Sequence, residues 1–158
     1  MRRIILGFMF LILIQGAALA QGRGWGYAVG GVGGIAGNGA PSTATFSVAG
    51  GGEGLIYKGF GFGAEVGYLA PFEAGGDGFG IFSVNPAYHF SSKSKVVPFI
   101  TGGYSLAFRS GHSSGGNFGG GVQYWMKDHL GLRFEFRDHI FSSDSPHFYG
   151  FRVGIAFR

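Results

Sequence analysis

The chain has 158 residues, a formal net charge of +4 and no cysteine, and 34 of its residues are glycine. An average protein contains only about 7% glycine. Apolar residues nevertheless make up 46% of the chain and aromatic residues 17%, which excludes a disordered polypeptide. The glycines follow no three-residue repeat, which excludes collagen. Because only 13% of the residues are charged, the chain must fold with little charge and accommodate glycine in regular structure.

The N-terminal residues have the pattern of an export signal. Arg2 and Arg3 precede an uninterrupted apolar run over residues 4–14, and Ala18-Leu19-Ala20 supplies the small residues typical of a signal-peptidase site. A membrane anchor or a core helix is the alternative, but a spanning helix needs about 20 apolar residues. The sequence therefore predicts a signal peptide over residues 1–20 and one mature domain over residues 21–158. Without a cluster of Lys or Arg, the positive charge predicts no nucleic-acid partner.

The mature chain alternates large apolar residues with small or polar ones, which is the two-residue period of β-strands. The alternation is clearest at the C-terminus, where Tyr149, Phe151, Val153, Ile155 and Phe157 share one face and Gly150, Arg152, Gly154 and Ala156 share the other. Eight strands are predicted, over residues 25–35, 46–56, 60–70, 80–90, 98–108, 118–126, 130–137 and 149–157. The first two contain so much glycine that their alternation is the weakest.

The composition of the two faces indicates which one meets lipid. A soluble barrel or sandwich would carry Lys, Glu, Asn and Thr on the face opposite its apolar set. Here the opposite face holds Gly, Ala, Ser and isolated charges, which favours apolar side chains facing lipid around a small polar lumen. Because lipid cannot satisfy an open sheet edge, the strands must close. We therefore predict an all-β fold, a transmembrane eight-stranded antiparallel up-and-down β-barrel.

The connections between the predicted strands alternate in length, as in outer-membrane barrels with short periplasmic turns and longer outer loops. Short turns are predicted at Lys58-Gly59, 91–95 and Lys127-Asp128, and longer loops at 37–45, 71–78, 109–116 and 142–146. All four lysines lie in the short turns. Two aromatic girdles are predicted, one formed by Trp25, Tyr27, Tyr88, Phe90, Tyr124 and Trp125 and the other by Phe46, Tyr68, Phe108, Phe141 and Tyr149.

The segment GGGVQYWMKDHLGLRFEFRDH over residues 119–139 resembles the penultimate hairpin of the small OmpA-like and OmpX-like outer-membrane β-barrel family. The closing strand YGFRVGIAFR is similar to the C-terminal strand of that family. This resemblance implies an integral protein of the outer membrane that contacts lipid and lipopolysaccharide. It also implies that the outer-membrane assembly machinery recognises the set Tyr149, Phe151, Val153, Ile155 and Phe157. Members of the family usually end on the aromatic residue, whereas here Arg158 follows Phe157.

The parity of the strands also predicts what fills the lumen. Three acids and three bases fall on the inward face, namely Glu53, Glu65, Glu135, Arg133, Arg137 and Arg152. An eight-stranded barrel has room only for side chains or one small ligand. Because buried charges need partners, the balanced set is interpreted as an ion-pair plug, and a solvated pore lined by the same charges is the alternative. The largest share of the glycines is predicted to clear space in this lumen, including Gly26, Gly30 and Gly34.

Two short motifs that resemble enzyme signatures are set aside. The G-x-G-x-x-A match at residues 31–36 is followed by no helical pattern, and the G-x-S-x-G match at residues 111–115 lies between two predicted strands. His112, Ser114, His139 and His147 lie near the outer rim, where small barrels that modify lipid A use such residues. We find no carboxylate spaced to orient one of these histidines.

The sequence thus predicts no enzyme, no metal site and no cofactor. The predicted role is a structural or surface-interaction role in the cell envelope, with an unknown surface ligand as a further partner. A small-solute channel is the second hypothesis, and a lipid A-modifying enzyme is the third.

Overall fold

The computed structural model describes residues 24–37, 43–73, 77–142 and 147–158, and the predicted signal peptide lies outside these ranges. The described residues form eight strands: β1 (Gly24–Ala36), β2 (Ala44–Tyr57), β3 (Phe60–Pro71), β4 (Phe79–His89), β5 (Val96–Phe108), β6 (His112–Lys127), β7 (Leu130–Phe141) and β8 (His147–Phe157). In the same ranges, no helix is long and apolar enough to cross a membrane.

The strands form one closed antiparallel barrel in sequence order. Each strand pairs with the next, and β8 returns to pair with β1 from Gly26↔Phe157 to Ala36↔His147. Closure leaves no row of unpaired backbone groups at a sheet edge, which is the arrangement that a lipid environment requires. The predicted eight-stranded barrel is therefore confirmed.

The two ends of the barrel differ in their connections. At the end that carries both termini of the barrel, which we call the turn end, Lys58 and Gly59 have positive φ angles of 42° and 90°, as in a tight two-residue hairpin turn. The opposite end, which we call the loop end, carries the connections at 37–43, 72–78, 109–111 and 142–146. The predicted long loop at 109–116 is wrong, because β6 already begins at His112 and residues 112–116 pair with β5. Backbone pairing does not require apolar side chains. Residues 112–116 are His, Ser and Gly, so they lack the apolar alternation from which the strands were predicted.

The outward face of the barrel is apolar, as predicted for β2 to β8. Phe134, Phe151 and Val153 are 50%, 70% and 52% exposed although they lie in the middle of their strands. Isolated apolar residues at a protein surface are ordinary, but a continuous belt of them indicates contact with an apolar partner. The belt and the closed sheet together match a barrel surrounded by lipid.

The prediction for β1 is wrong, because its two faces are reversed. Trp25, Tyr27 and Val29 are buried inside the barrel, and Gly26 and Gly30 consequently face outward together with Gly34. Glycine occupies both faces of this strand, so alternation gave no reliable sign of direction. Four residues that were assigned to the aromatic girdles belong to the interior instead: Trp25, Tyr27, Trp125 and Phe141.

Glycines inside the barrel leave room for large neighbours. A Cβ atom at Gly51 would meet the Tyr27 ring, one at Gly131 would meet the Trp125 ring, and one at Gly61 would meet the Glu53 carboxylate. On the outward face, the Phe157 ring lies over Gly26, where a Cβ atom would otherwise stand. Aromatic cover of this kind compensates for the missing side chain in a strand.

Gly121→Ala tests how closely β6 and β7 approach each other on the inner face of the barrel. A Cβ at residue 121 would overlap the carbonyl oxygen of Phe134 on β7. We expect the substitution to lower the free energy of unfolding by about 1–3 kcal/mol, the usual cost of overpacking, measured by urea unfolding in lipid vesicles. Gly111→Ala is the matched control, because nothing lies within 4 Å of a Cβ there. Equal stability of the two variants would contradict the close approach.

Candidate functional site

The six charged residues predicted for the lumen all lie inside the barrel. Each is at most 6% exposed, and Arg133 is only 1% exposed. They come from β2, β3, β7 and β8, so strands on different sides of the barrel contribute to one cluster. The six residues are Glu53, Glu65, Arg133, Glu135, Arg137 and Arg152. We call these residues and the contacts among them the lumen network.

Glu135 is the centre of the lumen network. Arg133 and Arg137 are its neighbours on the inward face of β7, and their Nε atoms lie 2.8 Å from Oε2 and 2.7 Å from Oε1 of Glu135. Arg152 is the residue paired with Glu135 on β8, and its Nη2 lies 2.9 Å from Oε1. One carboxylate therefore accepts charge-assisted hydrogen bonds from three guanidinium groups.

Arg152 extends the network across the bore to β3. Its Nη1 and Nη2 atoms donate to the two carboxylate oxygens of Glu65, at 2.7 Å and 3.0 Å. Such a paired contact fixes both the distance and the plane of the two groups. The Tyr27 hydroxyl donates a further hydrogen bond of 3.0 Å to Glu65. Tyr27 is absent from the predicted lumen set, because the alternation in β1 predicts its side chain on the outer face.

Glu53 forms the part of the network nearest the turn end. Its Oε1 contacts Nε2 of His89, and its Oε2 lies 3.7 Å from Nη1 of Arg133. The Arg133 guanidinium also lies over the rings of Tyr27 and Phe99, 4.3 Å and 4.1 Å from their centroids. Stacking on aromatic faces stabilises a cation that has left water.

A layer of neutral polar side chains continues the network towards the loop end. The Nη1 atom of Arg137 donates to the Asn117 side-chain oxygen at 2.6 Å, and the Asn117 amide donates to Ser105 at 2.9 Å. Ser105 in turn lies 2.8 Å from Ser83 and 3.0 Å from Nδ1 of His139. The prediction for the lumen did not include these residues, because it rested on charged side chains only. The inward parity of these residues was a signal that could have revealed the layer.

Apolar side chains cover the network at both ends. At the turn end the cover includes Trp25, Val97 and Trp125, and at the loop end it includes Leu69, Ile81, Phe79, Phe141 and Phe148. Between these covers, beside Glu65, Arg137 and Arg152, lies a cavity of about 30 Å³. That volume holds only one or two water molecules. The bore is thus occupied by side chains at the level of the network.

The predicted assembly signal lies on the outer face of β8. Its residues are between 40% and 70% exposed: Tyr149, Phe151, Val153, Ile155 and Phe157. The guanidinium of the following Arg158 lies 4.2 Å from the centroid of the Trp125 ring. The alternating aromatic and aliphatic set is therefore accessible along the strand that closes the barrel. Its recognition by an assembly machinery stays a prediction.

A carboxylate lies beside one of the histidines near the loop end, contrary to the prediction. Asp138 and His147 share the outward face near the loop end, and Oδ2 of Asp138 lies 2.9 Å from Nδ1 of His147. The other carboxylate oxygen, Oδ1, is buried and has no hydrogen-bond partner among the described residues. The expectation that no acid could orient a rim histidine is therefore wrong, because pairing of β7 with β8 joins residues that are distant in sequence. Within the described part of the chain, no group of three potential ligand residues is placed to hold a metal ion.

Several solved outer-membrane barrels share the fold of this chain. Neisserial surface protein A superposes with a TM-score of 0.70 at 16% identity, over 85% of this chain and 96% of that one. Ail of Yersinia pestis superposes with a TM-score of 0.60 at 12% identity, over 85% and 97% of the two chains. The N-terminal barrel of Pseudomonas aeruginosa OprF gives 0.55 at 13% identity, over 84% and 97%.

Sequence comparison adds nothing to this likeness. No protein-family model matches the chain, and no curated protein matches it. Identities of this size establish the shared architecture rather than a shared activity. The chain has the fold of the small eight-stranded outer-membrane β-barrels.

Proposed function

We propose that the mature chain is an integral outer-membrane barrel with a structural or surface-interaction role, and that the lumen network closes it to solutes. The continuous apolar belt on the outer face and the likeness to outer-membrane barrels support this location. The few charges near the loop end, among them Glu73, Asp77 and Arg109, favour a minimal barrel that stabilises the envelope over a dedicated adhesin. Outer-membrane lipid and lipopolysaccharide are the partners expected along the belt.

The observation that carries the proposal is the charge balance of the lumen network. Three arginines and three glutamates pair with one another across the bore, so no excess of one sign remains to attract a permeating ion. Because each charge is buried and paired, opening the bore would require breaking several charge-assisted hydrogen bonds at once. The apolar covers at both ends further oppose hydration of the lumen.

Conductance in a planar lipid bilayer tests the closed lumen. We expect the purified protein, residues 21–158, to produce no steady current at voltages at which a porin reconstituted in parallel conducts. Stable openings of one defined size would contradict the plug and favour the small-solute channel. Electrophoresis of the same preparation, boiled and unboiled, shows whether the barrel had folded, because a folded barrel migrates faster without boiling.

The location is tested separately in cells. We expect the full chain to be recovered from the outer-membrane fraction, shortened by 20 residues, and a variant lacking residues 1–20 to remain in the cytoplasm. Recovery of the full-length product from the inner membrane would contradict both the cleavage and the location.

Replacing Phe157 by Ser would test the assembly signal, with reduced recovery of heat-modifiable protein as the expected result.

The Asp138–His147 pair favours lipid modification as a second candidate function. A carboxylate that holds one nitrogen of an imidazole leaves the other nitrogen free to accept a proton, as hydrolases require. The pair lies on the outward face at the loop end, beside the expected outer leaflet. Mass spectrometry of lipid A from cells with the wild-type gene, the His147→Ala gene or no gene would reveal an acyl change that depends on His147. Identical spectra would exclude this activity on lipid A.

A further inference from the structure

The turn end of the barrel carries a concentration of positive charge. Lys58, Lys93, Lys95 and Lys127 all lie there, together with Arg158. Among the described residues at this end, the exposed acid is Asp128, because Glu53 is buried and paired with His89 and Arg133. The guanidinium of Arg158 is already engaged, since it lies over the Trp125 ring and donates to the Asp128 carbonyl oxygen. The Lys58 ammonium lies over the Tyr57 ring, 5.1 Å from its centroid, and the lysines form no ion pair with any described residue. Their positive charge is therefore not neutralised by an acid in the described part of the chain.

Two adjoining hollows open beside these lysines, with volumes of about 520 Å³ and 500 Å³. Lys58, Ser92 and Lys93 line both of them. The larger hollow reaches inward to Trp25 and Trp125. The smaller one is bounded by the 91–95 turn, which contributes Ser91 and Ser94. We call the two together the turn-end hollow.

Two buried polar atoms in residues that line the turn-end hollow have no partner among the described residues. These atoms are the indole Nε1 of Trp25, a residue that is 6% exposed, and Nδ1 of His89, a residue that is 2% exposed. An indole N–H can only donate a hydrogen bond. A buried donor without an acceptor has lost its hydrogen bond to water, so such atoms are rare unless a ligand or a water molecule satisfies them.

The geometry points to an oxyanion-binding site in the turn-end hollow, with a phosphate group as its ligand. The Lys58 and Lys93 ammonium groups, the Ser91 and Ser92 hydroxyls and the Trp25 N–H supply donors in the residues that line this hollow, and a phosphate offers several acceptor oxygens to match them. Lysine is a common phosphate ligand because its ammonium acts as a compact point charge. The phosphate could belong to a phospholipid headgroup of the inner leaflet or be free in solution. The headgroup source rests on the proposed outer-membrane location, and the free source does not.

Intrinsic fluorescence reports on this site directly, because the chain has only two tryptophans and both line the larger hollow. The protein, refolded in octyl glucoside, is titrated with inorganic phosphate against sodium chloride of equal ionic strength. A second titration uses dioctanoyl phosphatidylglycerol against dioctanoyl glycerol, which lacks the phosphate. We expect a saturable change in emission with at least one phosphate compound and none with its control. A response to inorganic phosphate supports the free source, and a response to phosphatidylglycerol alone supports the headgroup.

The variants distinguish a specific binding site from nonspecific electrostatic attraction. In Lys58→Gln/Lys93→Gln, and in Lys93→Gln alone, which leaves the β2–β3 turn unchanged, we expect the apparent dissociation constant to rise at least tenfold. Lys127→Gln removes the same charge at the same end but outside the hollow, and should bind as the wild type does. The absence of a saturable response to either compound overturns the site, and so does an equal loss in Lys127→Gln. Electrophoresis of each variant, boiled and unboiled, shows whether its barrel has folded. This control does not depend on the proposed role in the envelope.

Discussion

Glu135→Gln is expected to lower the free energy of unfolding by about 3–5 kcal/mol, because it removes the one carboxylate among the described residues that all three lumen arginines share. The amide keeps the volume of the side chain but loses its charge, and its NH₂ group cannot accept from a guanidinium. Arg133, Arg137 and Arg152 would then face only two carboxylates inside a bore that admits little water. Urea unfolding in lipid vesicles, followed by tryptophan fluorescence, measures the change.

Glu73→Gln is the matched control for this experiment. It makes the same chemical change at an exposed position beyond the end of β3, where we expect an effect within about 0.5 kcal/mol. A loss at Glu135 no larger than the loss at Glu73 would show that water already solvates the arginines. The conductance of the Glu135→Gln barrel provides a second readout, because steady openings that appear only in this variant would identify the network as the barrier to ions.

Phe134→Arg should lower the free energy of unfolding by about 2–4 kcal/mol in lipid vesicles. Phe134 lies near the middle of β7, is 50% exposed and shares the outward face with Val122 and Val153, its partners on the two neighbouring strands. An arginine placed there would have to leave water for the centre of the bilayer. The measurement is the urea unfolding midpoint of protein refolded in vesicles.

Phe60→Arg separates the effect of depth from that of the residue change. Phe60 is also outward and is 59% exposed, but it begins β3 at the turn end, next to the expected interface with water. The cost there should be about 0–1 kcal/mol, because a charged side chain near the interface reaches water. An equal loss of stability in the two variants would contradict a bilayer around the barrel, because the cost of the arginine would then not depend on its depth.

The fold was largely predictable from the sequence because a two-residue period directly records which face of a strand is apolar. From β3 onward, one face carries large apolar residues such as Leu132 and Phe134 and the other carries Arg133 and Glu135, so the direction of each side chain is clear. Strand β1 lacked this contrast. Glycines on both of its faces left Trp25 and Tyr27 as the main signal, and aromatic residues suit both an interfacial girdle and a crowded lumen.

The lumen charges could be predicted as a set, but their pairing could not. Parity placed Glu65 and Arg152 on the inward face without indicating that they meet across the bore. That contact depends on the tilt and stagger of the strands, which fix the height of each residue in the barrel. The same limit explains Asp138 and His147, whose proximity follows from the register of β7 against β8.

The seam between β1 and β8 has a consequence for how fast the barrel folds. It pairs residues from the two extremes of the described chain, such as Gly26 and Phe157, so its formation must overcome the largest loss of chain entropy. Tyr27 from one side of the seam and Arg152 from the other both bind Glu65. Their contacts with Glu65 therefore come together only when the seam forms. Closure and the Glu65 contacts accordingly form one late, cooperative step, with the slow kinetics of topologies dominated by long-range contacts.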